Sequence, residues 1–230
     1  MKSGPSTVNI SRTIHMKVFK VFSEEEVDQI NSLIDKMEWR NGKDSALGAA
    51  KDKKENFQIN SGDKGFDKIL PFVNKAHMLP SVKGYTYVKE VVDPRIASYH
   101  EGGHYDWHVD VALLRQRRTD LSFSIFLRDA ASYDGGEMEM QFGNGIQFKV
   151  KGKLGEMVVY PSGLLHKVNP VTSGERRVIV GWISSNIKHH THRERLNDFL
   201  IELSRLREEL GSEKVDKLNT IYHQLVRDFS

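Results

Sequence analysis

The chain has 230 residues, 38% of them hydrophobic and 28% charged, with a formal net charge of +3 at pH 7 and no cysteine. That length can bury the core of one domain, with or without an appendage. The charge is too small to call for a nucleic-acid partner, and the missing cysteines exclude disulfides, thiolate nucleophiles and cysteine-ligated zinc or iron–sulfur sites.

Residues 1–18 read as a polar N-terminal tail: MKSGPSTVNISRT lacks the apolar core of a signal peptide, and no run in the chain is long or apolar enough to span a bilayer. The expectation is a soluble, cytoplasmic protein with neither a membrane nor a nucleic acid as partner. Residues 19–84 read as a helical region. Ser23 and Glu26 form a capping box, followed at helical spacing by Val27, Ile30, Leu33, Ile34 and Met37. After the polar stretch NGKDSALGAAKDKKENFQIN, the segment GFDKILPFVNKAHML predicts a second, weaker helix bent or interrupted at Pro71.

From about Tyr85 to residue 187 the pattern changes to short β-rich runs: YVKEVV, DLSFSIFL, EMEMQF, IQFKV, EMVVY and RRVIVGWI. Glycine-rich turns separate them, which suggests a barrel or a double-sheet jelly roll. The basic cluster of LLRQRRTD reads as a solvated loop. Residues 188–230 turn helical again. Leu196, Phe199, Leu200, Leu203, Leu206 and Leu210 form one apolar stripe, and Val215, Leu218, Ile221, Leu225 and Phe229 form another, with Gly211-Ser212 between them. Such a hairpin must bury its stripes on the barrel or in a homodimer.

The chemistry concentrates in ASYHEGGHYDWHVDV, where H-x-D occurs twice, as His104/Asp106 and His108/Asp110. On an extended strand this spacing places both side chains of a pair on one face, and a nitrogen/oxygen donor set suits a divalent transition metal. Parity alone does not choose between the pairs. A further ligand should come from a strand closing across the barrel. His166, just beyond the apolar run at Met157–Tyr160, is placed to supply it, although taken alone it reads as an ordinary partly buried histidine. His189, His190 and His192 read as a solvated helix start, and His223 lies on a helix.

Two histidines and a carboxylate on a β scaffold form the facial triad of non-haem Fe(II) oxygenases. Arg176, ten residues after His166, offers the planar fork that a buried carboxylate of 2-oxoglutarate would need. A lone arginine there could equally flank a turn. Trp182, on the closing strand, reads first as a core residue and second as a pocket wall.

With these residues in view, the sequence resembles the iron(II)- and 2-oxoglutarate-dependent hydroxylases of the prolyl-4-hydroxylase group, in particular the PKHD-type hydroxylases of bacteria. The carrying pattern is Tyr99, Gly102, Tyr105, His108, Asp110, supported by SYDGGEM, by YPSGLLHKVNPVTSGERR and by the C-terminal IYHQLVRDF. The likeness runs from about Phe19 to the end. It implies a mainly β fold with flanking helices: a double-stranded β-helix (jelly roll) core over 85–187, N-terminal helices, and a C-terminal helical hairpin over 188–230. It implies His108, Asp110 and His166 on Fe(II), with Arg176 and Tyr99 on the far carboxylate of 2-oxoglutarate. Ser122 and Ser124 share a parity and are not distinguished for the same contact. The implied cofactors are Fe(II), 2-oxoglutarate, O2 and L-ascorbate. The implied reaction hydroxylates an unactivated C–H bond, of a protein or peptide side chain with proline first, and releases succinate and CO2. The alternatives are a small-molecule hydroxylase and a catalytically silent jelly-roll binding module.

Overall fold

The structure is a computed structural model that describes residues 16–45 and 53–230; most of the expected tail, and residues 46–52 of the polar stretch, lie outside the described residues. Strand β1 (Lys17–Lys20) precedes helix α1 (Glu24–Ile34), whose capping box is formed as expected, with Ser23 accepting from the Glu26 N–H and Glu26 returning the bond. Short strands β2 (Arg40–Asn41), β3 (Lys54–Glu55) and β4 (Phe57–Asn60) follow. Helices α2 (Leu70–Met78) and α3 (Pro80–Thr86) come next. Pro71 does not interrupt α2. It sits in the first turn, where its missing N–H would have no partner in any case.

Strand β5 (Val88–Tyr99) leads into β6 (His104–His108), the two-residue pair β7 (Leu113–Leu114) and β8 (Arg117–Arg118), and β9 (Leu121–Phe126). Then come β10 (Asp134–Gly135), β11 (Met138–Gln141), β12 (Gln147–Val150), β13 (Glu156–Pro161), β14 (Leu165–Val168), β15 (Val171–Ser173) and β16 (Arg176–Ser185). Helices α4 (His190–Leu210) and α5 (Ser212–Phe229) complete the chain.

Two antiparallel sheets form the jelly-roll core. The larger has the order β1-β13-β9-β16-β5-β4-β2, the smaller β12-β11-β14-β6-β3. The central strands of the larger sheet are buried on both faces, and the two-residue side-chain period divides them. Ile96, Phe123, Ile125, Met157, Val159 and Ile179 pack outward under α1, α2 and α3. Ala97, Tyr99, Val158, Tyr160 and Val178 face inward with Met138, Met140 and Val168 of the smaller sheet. Burial on both faces is why these strands read as continuous apolar runs.

The structure corrects three local expectations. The region 19–84 is not only helical: β4 pairs with β5 and β3 with β6, so no boundary at residue 84 separates it from the sheets. LLRQRRTD is not a plain loop but a β-hairpin turned by Arg115 and Gln116, both at positive φ (49° and 65°) as a two-residue hairpin turn requires. In the terminal hairpin α5 is rotated from the expected stripe: Val215 and Tyr222 are buried, whereas Leu218 and Ile221 are exposed. Its core joins Leu196 and Leu203 to Ile187, with Tyr87 packed alongside, and the Tyr87 and Tyr222 hydroxyls lie 2.8 Å apart.

Candidate metal centre and cofactor pocket

A bulge decides which H-x-D pair enters the cavity. In the pairing of β6 with β14, His108 faces His166 and Tyr105 faces Val168. Three steps along β6 thus match two along β14, and the extra residue reverses the parity of β6 at that point. Tyr105 and His108 come to one face, their rings stacked at 3.6 Å. His104 and Asp106 are left on the other, where Asp106 is exposed and His104 is bonded to the Gly102 carbonyl.

His108, Asp110 and His166 present ligand atoms that all lie within 4.8 Å of one another, the one such group among the described residues. Asp110 Oδ1 is 3.8 Å from His108 Nε2, and its Oδ2 is 3.8 Å from His166 Nε2. Each imidazole is oriented from behind. His108 Nδ1 is 2.7 Å from the Asp106 carbonyl and His166 Nδ1 is 2.8 Å from the Leu164 carbonyl. With Nδ1–H donating to these carbonyls, both Nε2 lone pairs are left for a metal. Burial, and then the neighbouring His166, lower His108 to about 4, which keeps it neutral. Ser122 donates to Asp110 Oδ2 at 2.6 Å, and its oxygen lies 2.8 Å from the Ser162 hydroxyl. Two imidazole nitrogens and one carboxylate form a donor set that fits Fe(II).

The cavity beside this cluster measures about 220 Å³ and is walled by both sheets. At its buried end lies Arg176, 1% exposed, with its guanidinium 5.0 Å from the Tyr99 ring centroid. Among the described residues its Nε and Nη1 have no hydrogen-bond partner, and neither has the Tyr133 hydroxyl nearby. Burial raises Tyr99 and Tyr160, against the opposing pull of Arg176, so both remain neutral. Gly136, at φ 66°, passes so close that an added Cβ would stand 3.1 Å from Arg176 Cδ. A buried guanidinium with two unpartnered nitrogens fits one carboxylate of 2-oxoglutarate.

All five residues expected at the site therefore line one cavity. Trp182 also lines it and is only half-buried, which sets aside the core reading; its indole N–H has no acceptor among the described residues. Ser122 and Ser124 both reach the cavity, but the Ser122 hydroxyl is committed to Asp110. Arg177 points to the opposite face as strand parity requires, yet it is not idle. It is 7% exposed and bonded to Glu175, Asp35 and Asn31. Lys54, Arg95 and Tyr160 also line the cavity and were not anticipated. Arg95 could have been found, since it lies four residues before Tyr99 on the same strand face. Lys54 sits on a two-residue strand that no sequence period marks.

The fold is a double-stranded β-helix with three candidate metal-holding side chains at its cavity, and comparison with known proteins places it further. A sequence profile of the 2OG-Fe(II) oxygenase superfamily matches residues 94–184. A PKHD-type hydroxylase of Idiomarina loihiensis is 31% identical over 217 residues, which is 93% of this chain and 99% of the relative. Among solved structures, a Pseudomonas putida prolyl-4-hydroxylase superimposes with a TM-score of 0.57 at 18% identity, over 78% of this chain and 97% of that one. A Trichoplax adhaerens prolyl hydroxylase, in complex with a hypoxia inducible factor oxygen degradation domain peptide fragment, gives 0.57 at 16% identity, over 77% and 87%. The chain belongs to the PKHD-type hydroxylases of the 2OG-Fe(II) oxygenase superfamily, and is a 2-oxoglutarate-dependent dioxygenase.

Proposed function

We propose that His108, Asp110 and His166 hold Fe(II), that Arg176 with Tyr99 holds the far carboxylate of 2-oxoglutarate, and that the enzyme hydroxylates an unactivated C–H bond of a protein or peptide side chain, proline first. The observation that carries the reading is the buried Arg176, with two unpartnered nitrogens in the same cavity as the three-ligand cluster. When bound, iron and 2-oxoglutarate supply the oxidising chemistry, in which O2 and the co-substrate give succinate, CO2 and a hydroxylated product. The residues of the chain position and exclude. The carbonyls of Asp106 and Leu164 fix the two imidazoles, Ser122 fixes the carboxylate, and Tyr99 and Arg176 bind at the dry end. The neutral imidazole of His108 leaves its metal-facing lone pair available near neutral pH.

L-ascorbate belongs to this proposal as an accessory reductant, and the cytoplasm as the location. Among the described residues no helix is long and apolar enough to cross a membrane. The test is anaerobic addition of 2-oxoglutarate to the Fe(II)-loaded protein. A visible metal-to-ligand charge-transfer band is expected, followed on admission of O2 by succinate and, in a peptide screen, by the mass gain of one oxygen atom. No band in the wild type would overturn the proposal.

A further inference from the structure

A short polar strap joins the two sheets beside Tyr99. Burial alternates along it: Lys54, Asn56 and Gln58 are buried, Glu55 and Phe57 exposed, so the three polar side chains share the inward face. Asn56 is the single residue between β3 and β4, where the chain passes from the smaller sheet to the larger. Phe57 pairs with Ser98, and one step further the antiparallel register brings Asn56 beside Tyr99. On its other side Tyr99 pairs with Arg176. Asn56, Tyr99 and Arg176 therefore form a buried row across three strands, at the end of the cavity given to the far carboxylate of 2-oxoglutarate.

The Asn56 side chain is held in place without being satisfied. Its backbone carbonyl accepts from the Gly42 N–H at 2.8 Å, and a Cβ added at Gly42 would collide with Asn56 Oδ1. Only glycine leaves room for the amide there, and with Oδ1 against Gly42 the Nδ2 end is left to donate. Burial raises Tyr99, while Arg176 and then the Asn56 side chain draw it down, so the amide stands within reach of the tyrosine oxygen. Yet neither Oδ1 nor Nδ2 completes a hydrogen bond among the described residues. A buried amide without partners is destabilising, and its presence calls for an explanation. The row supplies one. The Tyr99 hydroxyl has a single proton, which serves a carboxylate only when it points into the cavity. A donor behind the oxygen favours that orientation, because a hydroxyl cannot donate to another donor. Asn56 is not part of the cavity wall, so any effect on the co-substrate must pass through Tyr99.

We propose that Asn56 is a positioning residue for the co-substrate: Nδ2–H donates to the Tyr99 oxygen and turns the tyrosine proton toward the far carboxylate of 2-oxoglutarate. This deepens the function proposed above and rests on it.

The test is a double-mutant cycle of Asn56→Leu and Tyr99→Phe in the full chain loaded with Fe(II), with 2-oxoglutarate affinity read from the charge-transfer band without O2. Leucine keeps the approximate shape and removes the donor, and phenylalanine removes the hydroxyl that the donor serves. Asn56→Leu should raise the 2-oxoglutarate Kd about five- to tenfold, and Tyr99→Phe about tenfold or more, with bound iron unchanged in both. The double variant should bind within about twofold of Tyr99→Phe alone, since Asn56 then has nothing to orient. At saturating 2-oxoglutarate, succinate formation by Asn56→Leu should return to within about twofold of the wild type, which puts the loss in KM and not in kcat. Wild-type affinity in Asn56→Leu beside a weakened Tyr99→Phe would overturn this inference alone. So would a full further loss in the Tyr99→Phe background, the mark of a packing role. If Asn56→Leu does not fold, Asn56→Ala takes its place in the cycle, with the same outcomes deciding. Unchanged affinity in Tyr99→Phe would overturn the role of Tyr99 and this inference with it. Absence of the band in the wild type would overturn the co-substrate site as a whole.

Discussion

Arg176 and Arg177 are adjacent on β16 and face opposite ways, so truncating each should damage a different property. Arg177 Nε donates to Glu175 at 2.8 Å, and its Nη1 donates to Asp35 at 2.7 Å and Asn31 at 3.1 Å. The Asp35 side chain is 59% exposed, and that pair contributes little. Arg177 is 7% exposed, and Glu175 is half-buried, its side chain 18% exposed. Burial alone would raise its carboxyl, but bonds from Arg177, Ser98 and Arg128 outweigh that and hold it at about 2. Breaking such a pair costs about 3–5 kcal/mol, and the remaining Arg128 and Ser98 contacts argue for the lower end. At roughly 2–4 °C per kcal/mol for a chain of this size, Arg177→Ala should melt about 6–12 °C below the wild type. Arg176→Ala removes a buried charge two of whose nitrogens have no acceptor among the described residues, so its melting point should move by only about 2 °C without co-substrate. It should lose about 2–5 kcal/mol of 2-oxoglutarate binding, roughly a thirtyfold to several-thousandfold rise in Kd. The assay is a thermal melt of each Fe(II)-loaded protein with and without 2-oxoglutarate, metal content being measured separately. Co-substrate at 100 times its Kd adds about 2.7 kcal/mol and should raise the wild type and Arg177→Ala, but not Arg176→Ala at the same concentration. If Arg177→Ala melts like the wild type and ceases to respond to 2-oxoglutarate, the face assignment is wrong.

Asp110→Ala should lose bound iron and succinate formation, whereas Asp106→Ala should keep most of both, because only the backbone carbonyl of Asp106 touches the centre; equal losses would reject the chosen pair. Ser122→Ala removes the donor to Asp110 and should weaken iron by about 10–100-fold in chelator competition, with unchanged affinity meaning that the carboxylate holds its place unaided. His77 is buried against Phe123, and burial lowers it to about 4. The unfolded chain therefore binds more protons between about pH 6.5 and 4, and stability must fall with pH there, by about 2 kcal/mol from pH 7 to pH 5; denaturant melts of His77→Phe should lack that component. Deleting residues 193–230 should strip Ile187 and Tyr87 of their cover and give destabilised or insoluble protein, and a soluble, fully active truncation would sink that idea. The exposed Leu210, Leu218 and Ile221 left on the hairpin are where we propose that a homodimer forms, which sedimentation of the full chain checks.

What the sequence discloses about this fold follows from burial. Strands β5, β9, β13 and β16 are covered on both sides over most of their length, so apolar residues fall on both faces and the runs stand out. Strands β1 to β4 and the β7–β8 hairpin are two to four residues long and lie at or near sheet edges, too short for a period to show. The expected α5 stripe failed for a related reason: Tyr222 and Ile221 are both apolar enough to be buried, and only packing against Tyr87 and Phe199 selects the tyrosine.

The candidate site was legible in its residue types and not in its register. His104, Asp106, His108 and Asp110 share one parity, and a regular strand would have sent all four the same way. Pairing alone resolves them. With Val168 opposite Tyr105 and His166 opposite His108, the odd separation of the β6 pair must be absorbed against the even separation of the β14 pair, and the chain does so by one extra residue. The same device explains the aromatic residue three positions before the ligand. Only across a bulge can residues separated by three share a face, so Tyr105 lies flat on His108 and shields it on one side while the Asp106 carbonyl fixes it on another. The spacing of tyrosine and histidine is thus the trace of an irregular strand, and it favours His108 over His104 on physical grounds that parity by itself could not supply.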